Sequence, residues 1–312
     1  MKKTYRFLRK NIFIILAELV FVALLGSVSF GYLYDISTDT LEFPHVITVL
    51  FAIMVVAAIA TSVYVCIKSK TIGVSRIKKT NKFILFADGF AVVMMLAFFI
   101  YECITSMTYV GSGKGAIVFF RVSRWILSVP ALGYFIIQAL PKKIRRIKIV
   151  VPNYLKLITS VCLILWCIFG VFTTYFATHL ANQKDVTKIS MMFVYVIISI
   201  FFILEGEFEL IKTRHKPYMI MAFVTATASF AFPFAISIAK IFKPAMAWEG
   251  LSQPELLVSF AIGVYALAKM FALVSTMGLV IENSHGSHST SSTTKKEAPV
   301  DDGKAVLVKD EK

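Results

Sequence analysis

The sequence lacks the motifs by which hydrolases, nucleotide-binding proteins and metal proteins are commonly recognised. It contains no HExxH, G-x-S-x-G or P-loop pattern. Its four cysteines lie within or at the ends of apolar runs without metal-ligand spacing, so we expect them to be small core residues. Acidic residues are scarce, with 18 Asp and Glu against 33 Lys and Arg. We therefore expect no enzymatic activity, no catalytic residues and no metal site.

Hydrophobic residues, by contrast, make up 58% of the 312 residues, whereas a soluble domain averages about 45–50%. They lie in long runs, and about 20 apolar residues cross the hydrocarbon layer of a membrane. The pattern predicts an all-α integral membrane protein, in contact with a lipid bilayer, with eight transmembrane helices. The eight runs are Asn11 to Leu33, Pro44 to Ile67, Phe83 to Ile104, Arg124 to Leu140, Tyr154 to Thr178, Ile189 to Leu210, Tyr218 to Ile241 and Leu256 to Ile281.

Lysine and arginine are concentrated at the N-terminus and in alternate loops. The basic loops join the second run to the third, the fourth to the fifth and the sixth to the seventh. Because cytoplasmic loops carry an excess of positive residues, both termini are predicted to be cytoplasmic. We expect the membrane to be the plasma membrane. This asymmetry accounts for the formal net charge of +15, so we expect no nucleic-acid partner.

Two segments outside the runs have a recognisable character. Tyr109 to Phe120 alternates around Gly-Ser-Gly-Lys-Gly, which predicts an outward-facing β-hairpin. The residues after Asn283 are rich in Ser, Thr and Lys and show no periodicity. That composition predicts a disordered tail.

Lys269 is the most unusual residue within a run, because ionisable side chains inside a membrane are costly. It lies about thirteen residues from either end of the eighth run, which is roughly 20 Å along a helix and too far for the amine to reach water. It must pair, stay neutral or form a covalent bond. A desolvated lysine is a Schiff-base nucleophile towards a carbonyl. The alternative is a neutral lysine that bonds to a neighbouring hydroxyl.

Other charged residues in the runs have plainer explanations. Arg121 and Arg124 share one helical face at the start of the fourth run, where they could reach the outer surface. Asp88 is expected to be solvated or paired with Lys82, and Glu18 has no evident partner. The remaining acids of the sixth run are expected at the cytoplasmic interface: Glu205, Glu207 and Glu209.

The order of these residues resembles the microbial (type 1) rhodopsins, the family of bacteriorhodopsin. The family's third helix carries Arg-x-x-acid-Trp-x-x-Thr-x-Pro, and the fourth run here reads Arg121-Val-Ser-Arg124-Trp125-Ile-Leu-Ser128-Val-Pro130. The family's sixth helix has an aromatic residue before a proline, similar to Phe232-Pro233. Its seventh helix has a small residue before the retinal lysine, similar to Ala268-Lys269. The loop from Gly73 to Phe83 is also similar.

The resemblance implies a seven-helix rhodopsin-like bundle plus one extra N-terminal transmembrane helix. It divides the chain into residues 1–43 (cytoplasmic N-terminus, extra helix and outer loop), 44–282 (retinal-binding bundle) and 283–312 (tail). It implies all-trans-retinal as a Schiff base on Lys269. The residues that it places around retinal are Trp125, Ser128, Leu132, Phe232 and Pro233.

The departures from the family lie where it keeps its charges. Arg124 stands where the family has its main acid and Tyr265 where it has the second, while Phe135 replaces the proton donor. Outward proton pumping is therefore not expected. A cation about 4 Å from a protonated Schiff base, at an effective dielectric near 20, costs about 4 kcal/mol. We expect either a Schiff base that is neutral in the dark, or a chloride ion between it and Arg124, with Arg121 nearby.

Three functions remain open from the sequence. The first is a retinal photoreceptor with a sensory or regulatory role that signals through a partner or a homo-oligomer. The second is a light-driven anion transporter or light-gated ion channel, with a small anion moving past Arg121 and Arg124. The third is an opsin-related membrane protein without photoactivity.

Overall fold

The computed structural model describes residues 2–33, 44–68, 82–109, 115–139, 153–176, 186–211, 215–242 and 252–289, and within these ranges it has helices and no strand. A π-helical turn, Phe230–Phe234, joins the seventh helix to the eighth. The helices are α1 (Lys2–Leu33), α2 (Pro44–Lys68), α3 (Lys82–Tyr109), α4 (Gly115–Ala139), α5 (Asn153–Phe176), α6 (Val186–Ile211), α7 (His215–Ser229), α8 (Ala235–Phe242) and α9 (Gln253–Ser289).

Within these ranges, eight helical segments are long and apolar enough to cross a membrane. The number and the all-α class agree with the sequence prediction. The segments are Asn11–Gly31, Val46–Lys68, Lys82–Thr105, Val118–Ala139, Tyr154–Phe176, Thr187–Phe208, Lys216–Phe242 and Gln253–Val274.

Two sequence predictions about irregular segments are corrected. The β-hairpin expected over Tyr109 to Phe120 is wrong for residues 115–120, because α4 begins at Gly115; residues 110–114 lie outside the described ranges. Starting α4 there places Arg121 and Arg124 inside the helix instead of at its entrance. The disordered tail expected after Asn283 is wrong for residues 284–289, since α9 continues to Ser289. Residues 290–312 also lie outside the described ranges.

The helices α3 to α9 form a closed ring. Each of α3, α4, α5 and α6 packs against the next, α7 packs against α9, and α9 packs against α3. The helices α1 and α2 pack together on the outside of this ring, where α1 contacts α8 and the π-helical turn, and α2 contacts α7. The ring interior is therefore enclosed by α3 to α9.

Two glycines allow helices to approach closely. A Cβ atom added at Gly26 of α1 would lie 2.9 Å from the Ala231 carbonyl oxygen in the π-helical turn. A Cβ at Gly263 of α9 would lie 2.2 Å from the Ser229 Cβ at the end of α7. Pro233 has no N–H for an α-helical hydrogen bond, and the chain passes it through the π-helical turn without ending the span.

Candidate functional site

Lys269 is paired inside the ring. Its Nζ lies 2.9 Å from Glu205 Oε1, and the two side chains are 6% and 2% exposed. Glu205 comes from α6 and Lys269 from α9, so the ion pair spans the interior between two transmembrane helices. A buried charge is tolerated when it is paired and hydrogen-bonded. Glu205 Oε1 meets that condition, whereas Glu205 Oε2 is buried without a hydrogen-bond partner among the described residues.

Two tyrosines complete the surroundings of the pair. The Tyr265 hydroxyl donates to Glu205 Oε1 at 2.8 Å, and its ring centroid lies 5.0 Å from Lys269 Nζ. Tyr134 of α4 places its hydroxyl 3.4 Å from that of Tyr265. Asp88 of α3 is buried and interacts electrostatically with Tyr265. We call Tyr134, Glu205, Tyr265 and Lys269 the Lys269 layer.

Aromatic rings pack against the tyrosines of the Lys269 layer. The Tyr265 ring packs edge-on against Phe135 at 5.3 Å between centroids, and stacks near Phe202 at 6.2 Å. Tyr134 also contacts Phe202, at 5.5 Å. These rings exclude water from the ion pair, which strengthens its electrostatic attraction.

A second charged cluster lies nearer the start of α9. Arg124 Nη1 contacts Glu255 Oε1 at 2.5 Å and Nη2 donates to the Tyr195 hydroxyl at 2.7 Å. The Tyr195 hydroxyl donates to the same carboxylate oxygen. The guanidinium also stacks over the Trp166 ring, 4.2 Å from its centroid. We call Arg124, Tyr195 and Glu255 the Arg124 layer.

The two layers use the same helices and the same arrangement of side chains. Each of α4, α6 and α9 contributes to both layers, α9 giving Lys269 in addition, and on every helix two of these residues are ten positions apart: Arg124 and Tyr134, Tyr195 and Glu205, Glu255 and Tyr265. Ten residues rise about 15 Å, so the layers are separated by that distance along the bundle. In each layer a tyrosine hydroxyl and a cation share one glutamate oxygen.

Arg121 belongs to neither layer. Its guanidinium binds Glu102 of α3, with Nη2 3.0 Å from Oε1, and the Arg121 side chain is 17% exposed. Arg121 and Arg124 therefore each pair with a carboxylate of their own, Glu102 and Glu255. Glu255 lies fourteen residues before Lys269 on α9, or about 21 Å along the helix.

Several acidic residues have different surroundings from those expected. Glu205 is buried against Lys269, and Asp88 is buried, so the solvated alternative for Asp88 is wrong. The conclusion that Lys269 has no carboxylate to balance it is therefore wrong. Glu205 could have been noticed as an acid inside the apolar run VYVIISIFFILEGEF. Glu255 gave no such signal, because it stands at the very start of a helix.

The residues expected around retinal make contacts in several different places. Trp125 stacks on Phe99 at 5.5 Å between ring centroids. The Ser128 hydroxyl donates to the Trp125 carbonyl of its own helix, and Leu132 is partly buried. Phe232 packs against Phe51 of α2 at 5.9 Å, and Pro233 is buried in the π-helical turn. Of the predicted residues, the structure brings Tyr265 and Lys269 together.

Comparison with known proteins gave no relative. No protein-family model, no curated protein and no solved structure matches this chain. Among the described residues, no group of three His, Cys, Asp or Glu side chains could hold a metal ion. The structure defines an all-α chain with eight membrane-spanning candidates among its described residues and two buried charge layers in the ring.

Proposed function

We propose that this chain is a retinal-binding membrane photoreceptor, in which Lys269 carries retinal as a Schiff base and Glu205 balances the charge of that nitrogen. The observation that carries the proposal is the 2.9 Å contact between the two side chains in the ring interior. The choice of retinal as the carbonyl compound depends on the resemblance of the sequence motifs to the microbial rhodopsins. Those motifs lie around Arg121, Pro130, Phe232 and Ala268.

The Lys269 layer suits the linked end of retinal, because it offers an amine, a carboxylate and aromatic walls in one dry place. The residues that the resemblance assigns to the rest of retinal suit it less well. Phe232 packs against α1 and α2, and Trp125 packs against α3. The position of α2 outside the ring is a further departure from a seven-helix arrangement. The proposal therefore depends on the Lys269 layer and not on these residues.

The protein's own groups have distinct roles in this proposal. Glu205 keeps the nitrogen of Lys269 charged in an apolar interior, and the Tyr265 hydroxyl holds the carboxylate in place. Retinal supplies absorption of visible light and a change of shape at the linked nitrogen. Any weakening of the contact between Lys269 and Glu205 acts on α9 and α6 directly, because each helix carries one partner. A sensory role follows if that displacement reaches the loops or a signalling partner.

Glu205 also changes what is expected of anions. The sequence left two alternatives, a Schiff base that is neutral in the dark or a chloride ion beside the nitrogen, because neither family position holds an acid. With Glu205 at 2.9 Å, the positive charge is balanced by the protein itself. Chloride is therefore no part of the proposed resting site, and the pigment should be coloured at neutral pH without it.

The test is the absorption spectrum of membranes that contain the chain after addition of all-trans-retinal. We expect a visible band that is absent in Lys269→Ala and independent of chloride. In Glu205→Gln the band should move to the near ultraviolet, because the charged nitrogen loses its partner. Glu207→Gln, two residues further along α6, is the matched control and should keep the band. A wild-type chain without a retinal-dependent band would refute the proposal.

Current measurements separate sensing from ion transport. In a voltage-clamped cell, the sensory proposal predicts no light-dependent current, whereas the anion transporter or channel predicts one. Arg124 is engaged with Glu255 and Tyr195, which favours the sensory form. A photocurrent that Arg124→Gln abolishes would favour the transporter or channel instead.

A second candidate is a membrane protein that uses the Lys269–Glu205 pair without a chromophore, as a charge pair that opens on protonation. The observation that favours it is that Lys269 and Tyr265 are both bonded to one carboxylate oxygen of Glu205. This candidate predicts no retinal-dependent band. It also predicts proton uptake by the purified chain that is lost in Glu205→Gln and kept in Glu207→Gln.

A further inference from the structure

Both polar layers are formed by residues of the same three helices, α4, α6 and α9. The helices α6 and α9 run in the same direction, since Tyr195 bonds to Glu255 and, ten residues later, Glu205 bonds to Tyr265. In the ring, α7 packs between them. Side chains therefore provide the polar link between α6 and α9, at the two layers.

The level between the layers carries three hydroxyls that do not join α4, α6 and α9 to one another, although Ser199 also hydrogen-bonds to Cys167 of α5. Ser128, Ser199 and Ser259 lie on α4, α6 and α9, and each donates to a carbonyl oxygen of its own helix. Phe135, Phe201 and Phe202 fill the region beside Tyr265 with rings. Such apolar packing has no directional bonds to fix how far one helix slides along another. Hydrogen bonds and ion pairs have strict distances, so the layers can fix it.

We propose that the Arg124 layer positions the Lys269 layer: Arg124, Tyr195 and Glu255 fix the axial register of α4, α6 and α9, and so hold Glu205 within bonding distance of Lys269. A ten-residue spacing repeated on three helices makes the two layers fit together in one register. A slide of one helix by a single residue, about 1.5 Å, would break the contacts of both layers. The inference goes beyond the proposed function and does not require retinal.

The start of α9 adds to this arrangement. The Ser252 hydroxyl accepts from the Glu255 backbone N–H at 3.3 Å, and the Ser252 carbonyl accepts from Leu256 N–H at 3.2 Å. Ser252 therefore caps α9 and fixes its first turn, where Glu255 lies. Gly170 of α5 leaves room for the guanidinium, because a Cβ there would lie 3.2 Å from Arg124 Cζ. Glu255 and Arg124 are thus placed by groups outside the Lys269 layer.

The test measures acetylation of Lys269 by acetic anhydride in the full chain in membranes, quantified by peptide mass spectrometry across pH. Only a neutral amine reacts, and a lysine paired with a carboxylate is held in its charged form. Tyr195→Phe keeps the ring and the Arg124–Glu255 pair but removes the hydroxyl that bonds α6 to α9. Glu255→Gln removes the charge of the layer. Glu205→Gln breaks the ion pair with Lys269 directly, so its acetylation rate sets the upper limit for the other variants.

We expect Tyr195→Phe and Glu255→Gln to raise the acetylation rate of Lys269 by about fivefold or more, the lower end of typical coupling between two sites. The pH profile should move to lower pH in the same variants. Glu102→Gln is the matched control, because Glu102 binds Arg121 between α3 and α4 and lies in neither layer. Gly26→Ala, on α1, is the control for general loss of stability. Both controls should leave the rate and the profile unchanged.

Two results would overturn the proposal. One is a wild-type rate and profile in Tyr195→Phe while Glu205→Gln is raised, because the register would then not depend on the Arg124 layer. The other is an equal rise in Glu102→Gln or Gly26→Ala, which would indicate general loosening. If Glu255→Gln does not fold, Tyr195→Phe decides alone, since it leaves no buried charge unpaired. Neither result depends on whether retinal binds.

Discussion

Removing one partner of the buried Lys269–Glu205 pair should be far more costly than removing both. The two charges are 2.9 Å apart, and at an effective dielectric near 20 their attraction is about 6 kcal/mol. Most of that offsets the loss of hydration of the two groups. Leaving one charge buried without its partner typically costs about 3–5 kcal/mol. Glu205→Gln and Lys269→Met should each lower the free energy of unfolding by about that amount.

The assay is a double-mutant cycle on the purified chain, with the free energy of unfolding measured in mixed micelles. The double variant should lose at least about 2 kcal/mol less than the sum of the single losses, because it buries no uncompensated charge. The Arg121–Glu102 pair gives a comparison cycle at 3.0 Å, with the arginine partly exposed. Its coupling should be smaller than that of the Lys269–Glu205 pair, because Arg121 is 17% exposed and water screens the attraction. Additive losses at Lys269 and Glu205, each under about 1 kcal/mol, would refute a tight buried pair.

Further variants test single contacts of the site and the fold. Tyr265→Phe removes the 2.8 Å bond to Glu205 and should cost about 1 kcal/mol of unfolding free energy, with Tyr64→Phe on α2 as control; an unchanged stability would contradict the bond. Gly263→Ala puts a Cβ 2.2 Å from Ser229 Cβ and should cost about 1–3 kcal/mol. The double variant with Ser229→Gly should recover part of that loss in the same unfolding assay. A tolerated Gly263→Ala would show that α7 and α9 are further apart than described.

The sequence predicts the transmembrane spans better than it predicts the contacts of the candidate site. The spans are predictable because every run of about 20 apolar residues must satisfy its backbone as a helix in lipid. The β-hairpin prediction for Tyr109 to Phe120 depended on alternation around Gly-Ser-Gly-Lys-Gly. It failed for residues 115–120 because α4 begins at Gly115 and continues through them. Local pattern does not reveal where a helix begins when small residues precede it.

At the candidate site, the sequence reveals single unusual residues but not the contacts between them. Lys269 was recognisable because its depth in a run is a property of one segment. Glu205 was visible as an acid inside an apolar run, but its pairing with Lys269 was not, because the pairing depends on which helices adjoin across the ring. The same holds for Arg124, whose expected proximity to Lys269 came from the family motif, while the structure pairs it with Glu255. Pairings between distant segments are set by packing, which a single sequence does not display.

The measurement that tests the central claim most directly is the location of a covalent retinal adduct. Membranes with the full chain are incubated with all-trans-retinal, reduced with borohydride, digested and mapped by mass spectrometry. We expect a retinyl group on Lys269, no adduct in Lys269→Arg, and a lower yield in Glu205→Gln than in Glu207→Gln. An adduct found solely on lysines outside the spans, or none at all, would contradict the assignment of Lys269 as the retinal site.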